Sequence, residues 1–214
     1  MYIPSHFEEH RPEVLRALMR DHPLATIATL TSAGIVANHI PLQLYEGEDA
    51  AGPGILRGHV ARANPIWRDP VDGVETLAVF QGPESYISPS WYPSRLEHGK
   101  VVPTWNYCTV HAYGALRIHE DVGWIRKQVE ALTAWQEASI PQPWSVADAP
   151  AEFVEAMLRQ IVGIEIAITR LYGKWKVSQN QPARNRAGVL DALADRGDAD
   201  ASAMSVLIRE HEPR

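Results

Sequence analysis

Two runs rich in proline, aromatic residues and small polar residues constrain this chain most. They are residues 82–92 (GPESYISPSWY) and residues 102–107 (VPTWNY). Proline lacks a backbone N–H and disfavours helical geometry in the residue before it, so no long helix can cover this stretch. Aromatic faces beside hydroxyl and amide groups suit a wall that binds a flat ligand with polar edges. Packing against a loop-rich flank of the core is an equally open interpretation.

A third segment, residues 56–65 (LRGHVARANP), favours the ligand interpretation. A strand end here runs through small residues into a short helix, so free backbone N–H groups should cluster near Asn64. Arg62 is placed to clamp a phosphate, and His59 and Asn64 can donate further hydrogen bonds. The alternative interpretation is a solvated arginine beside a hydrogen-bonded core histidine.

The alternation of apolar residues predicts an α+β fold. We expect strands at residues 24–30, 35–44, 55–60, 76–81, 107–119 and 164–171, with a turn at Gly173. Helices are predicted at 12–22, at about 121–138, after Pro150, and from Ala183 onward with a break near Gly197. In the helix after Pro150 we expect Phe153, Met157, Leu158 and Ile161 to face inward. Antiparallel strands joined by hairpins favour a small closed barrel, which removes exposed strand edges.

Composition and charge exclude several classes of function. The net charge is −6 at a pI near 5.8, and no block of lysines and arginines forms a nucleic-acid surface. Cys108 is the only cysteine, so no intrachain disulfide forms. Residues 1–10 do not resemble a signal peptide, and no segment is apolar enough to span a membrane. We therefore expect a soluble, cytoplasmic protein.

The sequence predicts no catalytic residue and no metal site. Its nine histidines include no His-Glu-x-x-His motif, although folding can still assemble a composite site. Cys108 lies in an apolar strand, where a cysteine is usually part of the core. A Gly-x-Ser-x-Gly nucleophile motif is absent as well.

Several motifs resemble those of a known family. They are Tyr2-Ile3-Pro4-x-His6-Phe7, Gly58-His59-x-Ala61-Arg62-Ala63-Asn64-Pro65-x-Trp67, Phe80-x-Gly82-Pro83, Tyr86-Ile87-Ser88-Pro89-Ser90-Trp91-Tyr92, Pro103-Thr104-Trp105-Asn106-Tyr107 and Lys174-Trp175-Lys176-x-Ser178-Gln179-Asn180. Together they resemble the PaiB-type family, described as FMN-binding negative transcriptional regulators. The resemblance extends in order from residue 2 to about residue 195.

The resemblance implies a six-stranded antiparallel split β-barrel with flanking helices, related to pyridoxamine-phosphate oxidase. It implies an FMN-binding domain over residues 1–195, followed by a helical tail over residues 196–214. It also implies a homodimer with the flavin sites at the subunit interface.

The resemblance further implies two groups of FMN-binding residues. On the phosphate side they are Asn38, His39, Ile40, Gly58, His59, Arg62, Ala63 and Asn64. On the ring side they are Tyr86, Ser88, Trp105, Asn106, Lys176, Ser178, Gln179 and Asn180. One departure concerns the turn after the third strand, where related oxidases have an Arg-Lys pair and this chain has Arg62 followed by alanine. With one cation fewer, the affinity for phosphate is expected to fall.

Our first hypothesis is an FMN-binding protein that acts as a flavin-dependent oxidoreductase, with an indirect regulatory role. One alternative is a non-enzymatic transcriptional regulator that uses the barrel for dimerisation or DNA contact. No helix-turn-helix motif or basic recognition helix supports direct DNA binding. Another alternative is a haem-binding or haem-degrading split barrel.

Overall fold

The structure, a computed structural model, describes residues 1–46, 52–71 and 73–211. Six α-helices and eight β-strands in this part of the chain form an α+β fold, as the sequence predicts. The strands are β1 (Glu8–Glu9), β2 (Leu24–Thr31), β3 (Gly34–Pro41), β4 (Gln43–Tyr45), β5 (Ile55–Ala61), β6 (Thr76–Ile87), β7 (Thr104–His119) and β8 (Ile161–Lys176). The helices are α1 (Pro12–Asp21), α2 (Arg95–His98), α3 (Val122–Glu137), α4 (Ala151–Leu158), α5 (Ala183–Arg196) and α6 (Ala199–Glu210).

The sheet corrects the prediction of a closed six-stranded barrel. Its strand order is β3-β2-β6-β7-β8-β5-β4, and β1 pairs with β8. Within the described residues this hydrogen-bonded order has two ends, at β3 and β4, so the sheet has eight strands and is not closed. The strand predicted over residues 35–44 is divided in two. Pro41 has no N–H for a further ladder bond, and the N–H of Leu42 donates to the Pro23 carbonyl oxygen instead.

Glycines allow two of the strands to run further than predicted. β8 continues through Gly173, where a turn was expected, because Gly173 lies opposite Glu9 of β1. A Cβ atom there would lie only 2.9 Å from the Glu9 carbonyl oxygen. β6 likewise continues through Gly82, whose added Cβ would lie 2.4 Å from Cys108 Sγ. Beyond β6 the aromatic run holds only a short 3-10 helix, Pro89–Trp91, so the expected absence of a long helix is confirmed.

The chain divides into two compact units. The first unit consists of Met1–Leu18, Gln81–Val110 and Tyr172–Arg214, and the second of Met19–Phe80 and His111–Leu171. In the first unit α5 contacts α6, and the two helices are separated at Gly197, as predicted. Their buried residues include Val189, Leu193, Met204 and Ile208. The implied boundary between residues 195 and 196 stays a prediction.

The second unit contains the β2–β3 hairpin, the pairing of β5 with both β4 and β8, and the helices α3 and α4. Helix α3 begins after Asp121, whose carboxylate accepts a hydrogen bond from the Trp124 N–H. Helix α4 follows Pro150 as predicted, but its inward face differs from the prediction. Leu158 is buried as predicted and Val154 is buried as well, whereas Phe153 and Met157 are about half exposed and Ile161 belongs to β8. No helix in the described part of the chain is long and apolar enough to cross a membrane.

Candidate functional site

A cavity of about 140 Å³ in the first unit gathers four of the predicted ring-side residues. It is lined by Tyr92, Val102, Thr104, Asn106, Lys176, Ser178, Asn180 and Gln181. We call it the ring cavity. Thr104 begins β7 and Lys176 ends β8, and these strands are neighbours in the sheet, so residues 72 positions apart line one cavity. The polar lining groups are three hydroxyls, three amides and one ammonium, all of which can donate hydrogen bonds.

The ammonium group of Lys176 is held at the edge of the ring cavity. Its Nζ donates to the Thr104 hydroxyl and, at 2.7 Å, to the Trp105 carbonyl oxygen. Burial lowers the pKa of Lys176, and the charge of Lys174 lowers it further. Lys174 itself is buried and donates to the Tyr2 carbonyl oxygen at 3.1 Å. A cation so restricted, and partly removed from water, favours a ligand atom that carries negative charge.

Asn106 and Ser178 form the polar base of the ring cavity. Asn106 is 1% exposed, and its Nδ2 donates to the Ser178 hydroxyl at 2.9 Å. Ser178 has a backbone φ of 65°, and it is the only non-glycine residue in the described ranges with a positive φ. Such a conformation is costly for serine and persists only when surrounding contacts hold it, which is frequent at ligand sites.

Gln179 shapes the turn that presents Ser178 and Asn180. Its side-chain oxygen accepts from the Val177 N–H at 2.8 Å, and its side-chain nitrogen donates to the Trp175 carbonyl oxygen at 2.5 Å. Both ends of the amide are therefore used within the turn. The structure thus gives Gln179 a role in supporting the turn, and its predicted contact with the cofactor stays a prediction.

The remaining ring-side residues do not line the ring cavity. Tyr86 and Trp105 form an edge-to-face pair with ring centroids 5.8 Å apart, and both are about half exposed. Ser88 lies at the start of the 3-10 helix, where its hydroxyl oxygen accepts from the Ser90 N–H. Tyr86 and Trp105 thus offer an exposed aromatic surface in the first unit.

The predicted phosphate-side residues lie in the second unit, and two of them are joined directly. Asn64 Nδ2 donates to Asn38 Oδ1 at 2.7 Å, while Asn64 Oδ1 accepts from the Ile66 N–H at 3.0 Å. Asn64 therefore caps the 3-10 helix that follows β5; the sequence predicted the short helix but not this role of Asn64. No other hydrogen bond of the Asn38 side chain occurs among the described residues, so its amide N–H groups are open to a ligand.

Arg62 already has three partners in the folded chain. Its Nε donates to the Arg159 carbonyl oxygen at 3.0 Å, Nη1 to the Glu120 carboxylate at 2.8 Å, and Nη2 to the Ile161 carbonyl oxygen at 3.3 Å. The guanidinium group has five N–H donors, so two of them have no partner among the described residues. A phosphate bound here would compete with the carboxylate of Glu120.

The other phosphate-side residues fall into three environments. His59 Nδ1 is 2.8 Å from Gln128 Oε1, so the ring is held against α3. Gly58 and Ile40 are buried in the second unit, where a Cβ on Gly58 would lie 2.7 Å from the Pro41 carbonyl oxygen. His39 and Ala63 are exposed. Gly58 is therefore required for backbone packing, a role that sequence reasoning missed.

The described residues support neither Cys108 as a nucleophile nor a metal site. Burial raises the pKa of Cys108 to about 12, so its thiol is unreactive in the folded chain, in agreement with a core cysteine. Within residues 1–46, 52–71 and 73–211, no three His, Cys, Asp or Glu side chains gather in a way that could hold a metal ion.

The family model described as "Putative FMN-binding domain" matches residues 1–170. This chain belongs to the FMN-binding domain family. The resemblance deduced from the motifs and the FMN cofactor that it implied are thereby confirmed. Lys176, Ser178, Asn180 and Gln181 of the ring cavity lie beyond the matched segment of the family.

Several relatives match nearly the whole chain. The Emericella nidulans protein named "Uncharacterized protein AN0679" is 34% identical over 243 residues, covering 98% of this chain and 97% of its own. The Bacillus subtilis protein named "Protease synthase and sporulation protein PAI 2" is 29% identical over 211 residues, with the same coverage of both chains.

Solved structures show the same fold at low sequence identity. The FAD and heme binding protein from Mycobacterium smegmatis has a TM-score of 0.58 at 18% identity, covering 79% of this chain and 73% of its own. The flavocytochrome Anf3 from Azotobacter vinelandii has a TM-score of 0.53 at 9% identity, covering 81% and 72%. This chain thus has an α+β fold of the split-barrel type, with the open eight-stranded sheet described above.

The site also contains residues that sequence reasoning did not assign. Thr104 and Tyr92 line the ring cavity, although neither was among the predicted ligand residues. Both lie inside the two polar-aromatic runs, which was the available signal. The strand pairing that brings Thr104 to Lys176 depends on the fold and could not be deduced from spacing.

Proposed function

We propose that this member of the FMN-binding domain family binds FMN and places the polar edge of the flavin ring in the ring cavity. The observation that carries the proposal is the convergence of Asn106, Ser178 and the Lys176 ammonium on that cavity. One edge of the flavin ring carries carbonyl oxygens and ring nitrogens, which need hydrogen-bond donors. The residues present fit that requirement, because every polar lining group of the cavity can donate a hydrogen bond.

When bound, FMN would supply the electron-transfer chemistry, and the protein would supply binding and electrostatics. The Lys176 ammonium lies in a partly desolvated position, where it stabilises negative charge more strongly than it would in water. Asn106 and Ser178 would fix the orientation of the ring by hydrogen bonds. On these grounds we propose a flavin-dependent oxidoreductase, with any effect on transcription being indirect.

We further propose that the protein acts as a homodimer whose second copy completes the ligand site. The ring cavity, at about 140 Å³, is smaller than the roughly 300–1,000 Å³ of pockets that enclose a whole small ligand. Tyr86 and Trp105 offer about half of their surface to solvent, which suits contact with a ligand or with a second chain.

The spectrum of purified protein tests this proposal. We expect flavin absorption bands and FMN released on denaturation; a Soret band would indicate haem instead, and a colourless protein that takes up no added FMN would refute the proposal. Lys176→Met should lower FMN occupancy through an affinity loss of about tenfold, since a charge-assisted contact disappears. Lys127→Met, which removes an exposed lysine of α3, should leave occupancy unchanged.

A separate pair of variants tests the phosphate role of Arg62. Arg62→Ala should weaken FMN binding while leaving riboflavin, which lacks the phosphate, unaffected. Glu120→Gln removes the carboxylate that competes for the guanidinium group, so it should strengthen FMN binding. If Glu120→Gln leaves the FMN affinity unchanged and both variants only destabilise the fold, Arg62 serves structure and not phosphate.

A further inference from the structure

A second cavity in the first unit shares a wall with the ring cavity. It measures about 250 Å³, and Tyr92, Val102 and Gln181 line both cavities. The polar and basic residues that line only the second cavity are Ser94, His98, Lys100, Arg184 and Asn185. They come from the segment around α2 and from the start of α5. Helix α5 approaches the segment before α2 closely at Gly188, where an added Cβ would lie 2.1 Å from the Trp91 carbonyl oxygen.

The second cavity is basic, although the whole chain has a net charge of −6. None of its lining residues is acidic. Lys100 Nζ has no ion-pair or hydrogen-bond partner among the described residues, and only its backbone N–H is used, donating to His98 Nδ1 at 3.0 Å. Arg184 pairs with Glu97 at 2.5 Å, with both side chains about half exposed. The ammonium of Lys100 is therefore the uncompensated charge of this cavity.

Tyr92 provides an independent sign of a ligand at the junction of the two cavities. Its side chain is 2% exposed, and its hydroxyl has no hydrogen-bond partner among the described residues. Burying a hydroxyl without a partner is costly, and most such groups in folded proteins are satisfied. Because Tyr92 lines both cavities, a ligand that occupies them would supply the missing partner.

The start of α5 adds to the positive potential. The helix begins at Ala183 after Pro182, and its first turn contains no acidic residue. The N–H groups of Asn185 and Arg186 donate to the Pro182 carbonyl oxygen. The N-terminus of a helix of this length attracts negative charge.

We propose that the second cavity binds the anionic group, a phosphate monoester or a carboxylate, of a ligand that also contacts Tyr92. The inference deepens the proposed flavin site, since the two cavities adjoin. The anion is either the phosphate of FMN itself, which Arg62 would then not bind, or the charged group of a second ligand, such as a substrate, that lies against the flavin. Lys100 supplies the charge and Tyr92 a hydrogen bond.

Three variants test this proposal. Lys100→Gln removes the charge, Tyr92→Phe removes only the hydroxyl, and Lys127→Gln is the matched control on α3. The affinities of the ligand-free protein for FMN and for riboflavin are measured by flavin fluorescence. The rise in melting temperature caused by inorganic phosphate is measured on the protein as purified.

If the anion is the FMN phosphate, Lys100→Gln should reduce the preference for FMN over riboflavin by about tenfold. If the anion belongs to a second ligand, Lys100→Gln should keep the wild-type preference for FMN over riboflavin. The variant should then lose the rise in melting temperature that inorganic phosphate causes in the wild type. Tyr92→Phe should weaken the same ligand severalfold without lowering the melting temperature of the ligand-free protein, because it removes an unpaired hydroxyl. Lys127→Gln should change none of these quantities.

The proposal is overturned if Lys100→Gln and Tyr92→Phe match the control in both measurements, or if Tyr92→Phe only destabilises the protein. Failure of the flavin proposal looks different, because neither FMN nor riboflavin would then bind. The phosphate measurement would still decide whether the second cavity binds anions.

Discussion

The side chain of Asn106 donates a 2.9 Å hydrogen bond to the hydroxyl of Ser178, although the two residues are 72 positions apart in the sequence. This bond joins β7 to the turn that follows β8. Both residues are almost completely buried, and Ser178 holds a backbone φ of 65°. The polar base of the ring cavity is therefore built into the fold before any ligand binds.

Ser178→Ala should destabilise the protein by about 1–3 kcal/mol, because the buried amide of Asn106 loses its acceptor. Urea unfolding monitored by tryptophan fluorescence measures this change. Ser202→Ala is the matched control, since the Ser202 hydroxyl donates to a backbone carbonyl on an exposed part of α6. The control should stay within about 0.5 kcal/mol of the wild type. Equal effects of the two variants would contradict the structural role of Ser178.

Lys176 should make the free energy of unfolding change with pH in the alkaline range. Burial lowers its pKa in the folded chain below the ordinary value of 10.5, so the unfolded chain binds more protons between the two pKa values. The stability contributed by this group therefore rises with pH up to about 10.5. The free energy of unfolding of the wild type should thus gain on that of Lys176→Met as the pH is raised through this window. Parallel pH profiles for the two proteins would show that the ammonium is not desolvated.

Glu9 should contribute to stability at neutral pH and lose that contribution in acid. Although burial opposes its ionisation, the hydrogen bonds and charge of Arg11 and the hydrogen bond with His211 hold the pKa of Glu9 at about 2. Because the folded pKa lies below the ordinary 4.5, this stabilisation is complete above about pH 5 and is lost as the pH falls towards 2. It amounts to about 3 kcal/mol at most.

Urea unfolding at pH 7 and pH 3 measures the effect of Glu9. Glu9→Gln should be less stable than the wild type at pH 7, and the difference should shrink at pH 3. Asp191→Asn, which changes an exposed carboxylate of α5, is the control and should show no such convergence. A constant difference between wild type and Glu9→Gln at both pH values would exclude the predicted role of this ion pair.

Gly188→Ala should destabilise the protein although alanine favours helices. The added Cβ would lie 2.1 Å from the Trp91 carbonyl oxygen, a backbone atom that cannot move away easily. We expect a loss of about 1–3 kcal/mol from overpacking, together with weaker binding of anions in the second cavity. Gly123→Ala in α3 is the matched helical control, since its added Cβ meets only the end of the Asp121 side chain, and it should stay within about 1 kcal/mol of the wild type. Thermal unfolding of both variants decides between the two expectations.

Local signals predicted the helices and part of the sheet well. A helix was predicted at about 121–138 and α3 spans Val122–Glu137, and Gly197 separates α5 from α6 as expected. The prediction of a turn at Gly173 was wrong. This glycine instead allows β8 to pair closely with β1 at Glu9, which lies far away in the sequence. The division of the strand near Pro41 and the two open ends of the sheet depend in the same way on pairing that no local pattern contains.

The sequence identified several residues of the candidate site but not the contacts that they make in the folded chain. The motifs identified Asn106, Lys176 and Ser178, which the pairing of β7 with β8 brings to one cavity. The engagement of Arg62 with Glu120, which lies 58 positions further along the chain, could not be deduced from the sequence. The same holds for the unpaired hydroxyl of Tyr92, because it depends on what the fold leaves without a partner.

Titration of the ligand-free protein with FMN, followed by flavin fluorescence, measures directly whether this chain binds the flavin. We expect saturable quenching, with Lys176→Met binding about tenfold more weakly and Lys127→Met binding as the wild type does. Fluorescence that stays unchanged up to about 100 μM FMN in the wild type would contradict the claim that this chain is a flavin-binding protein.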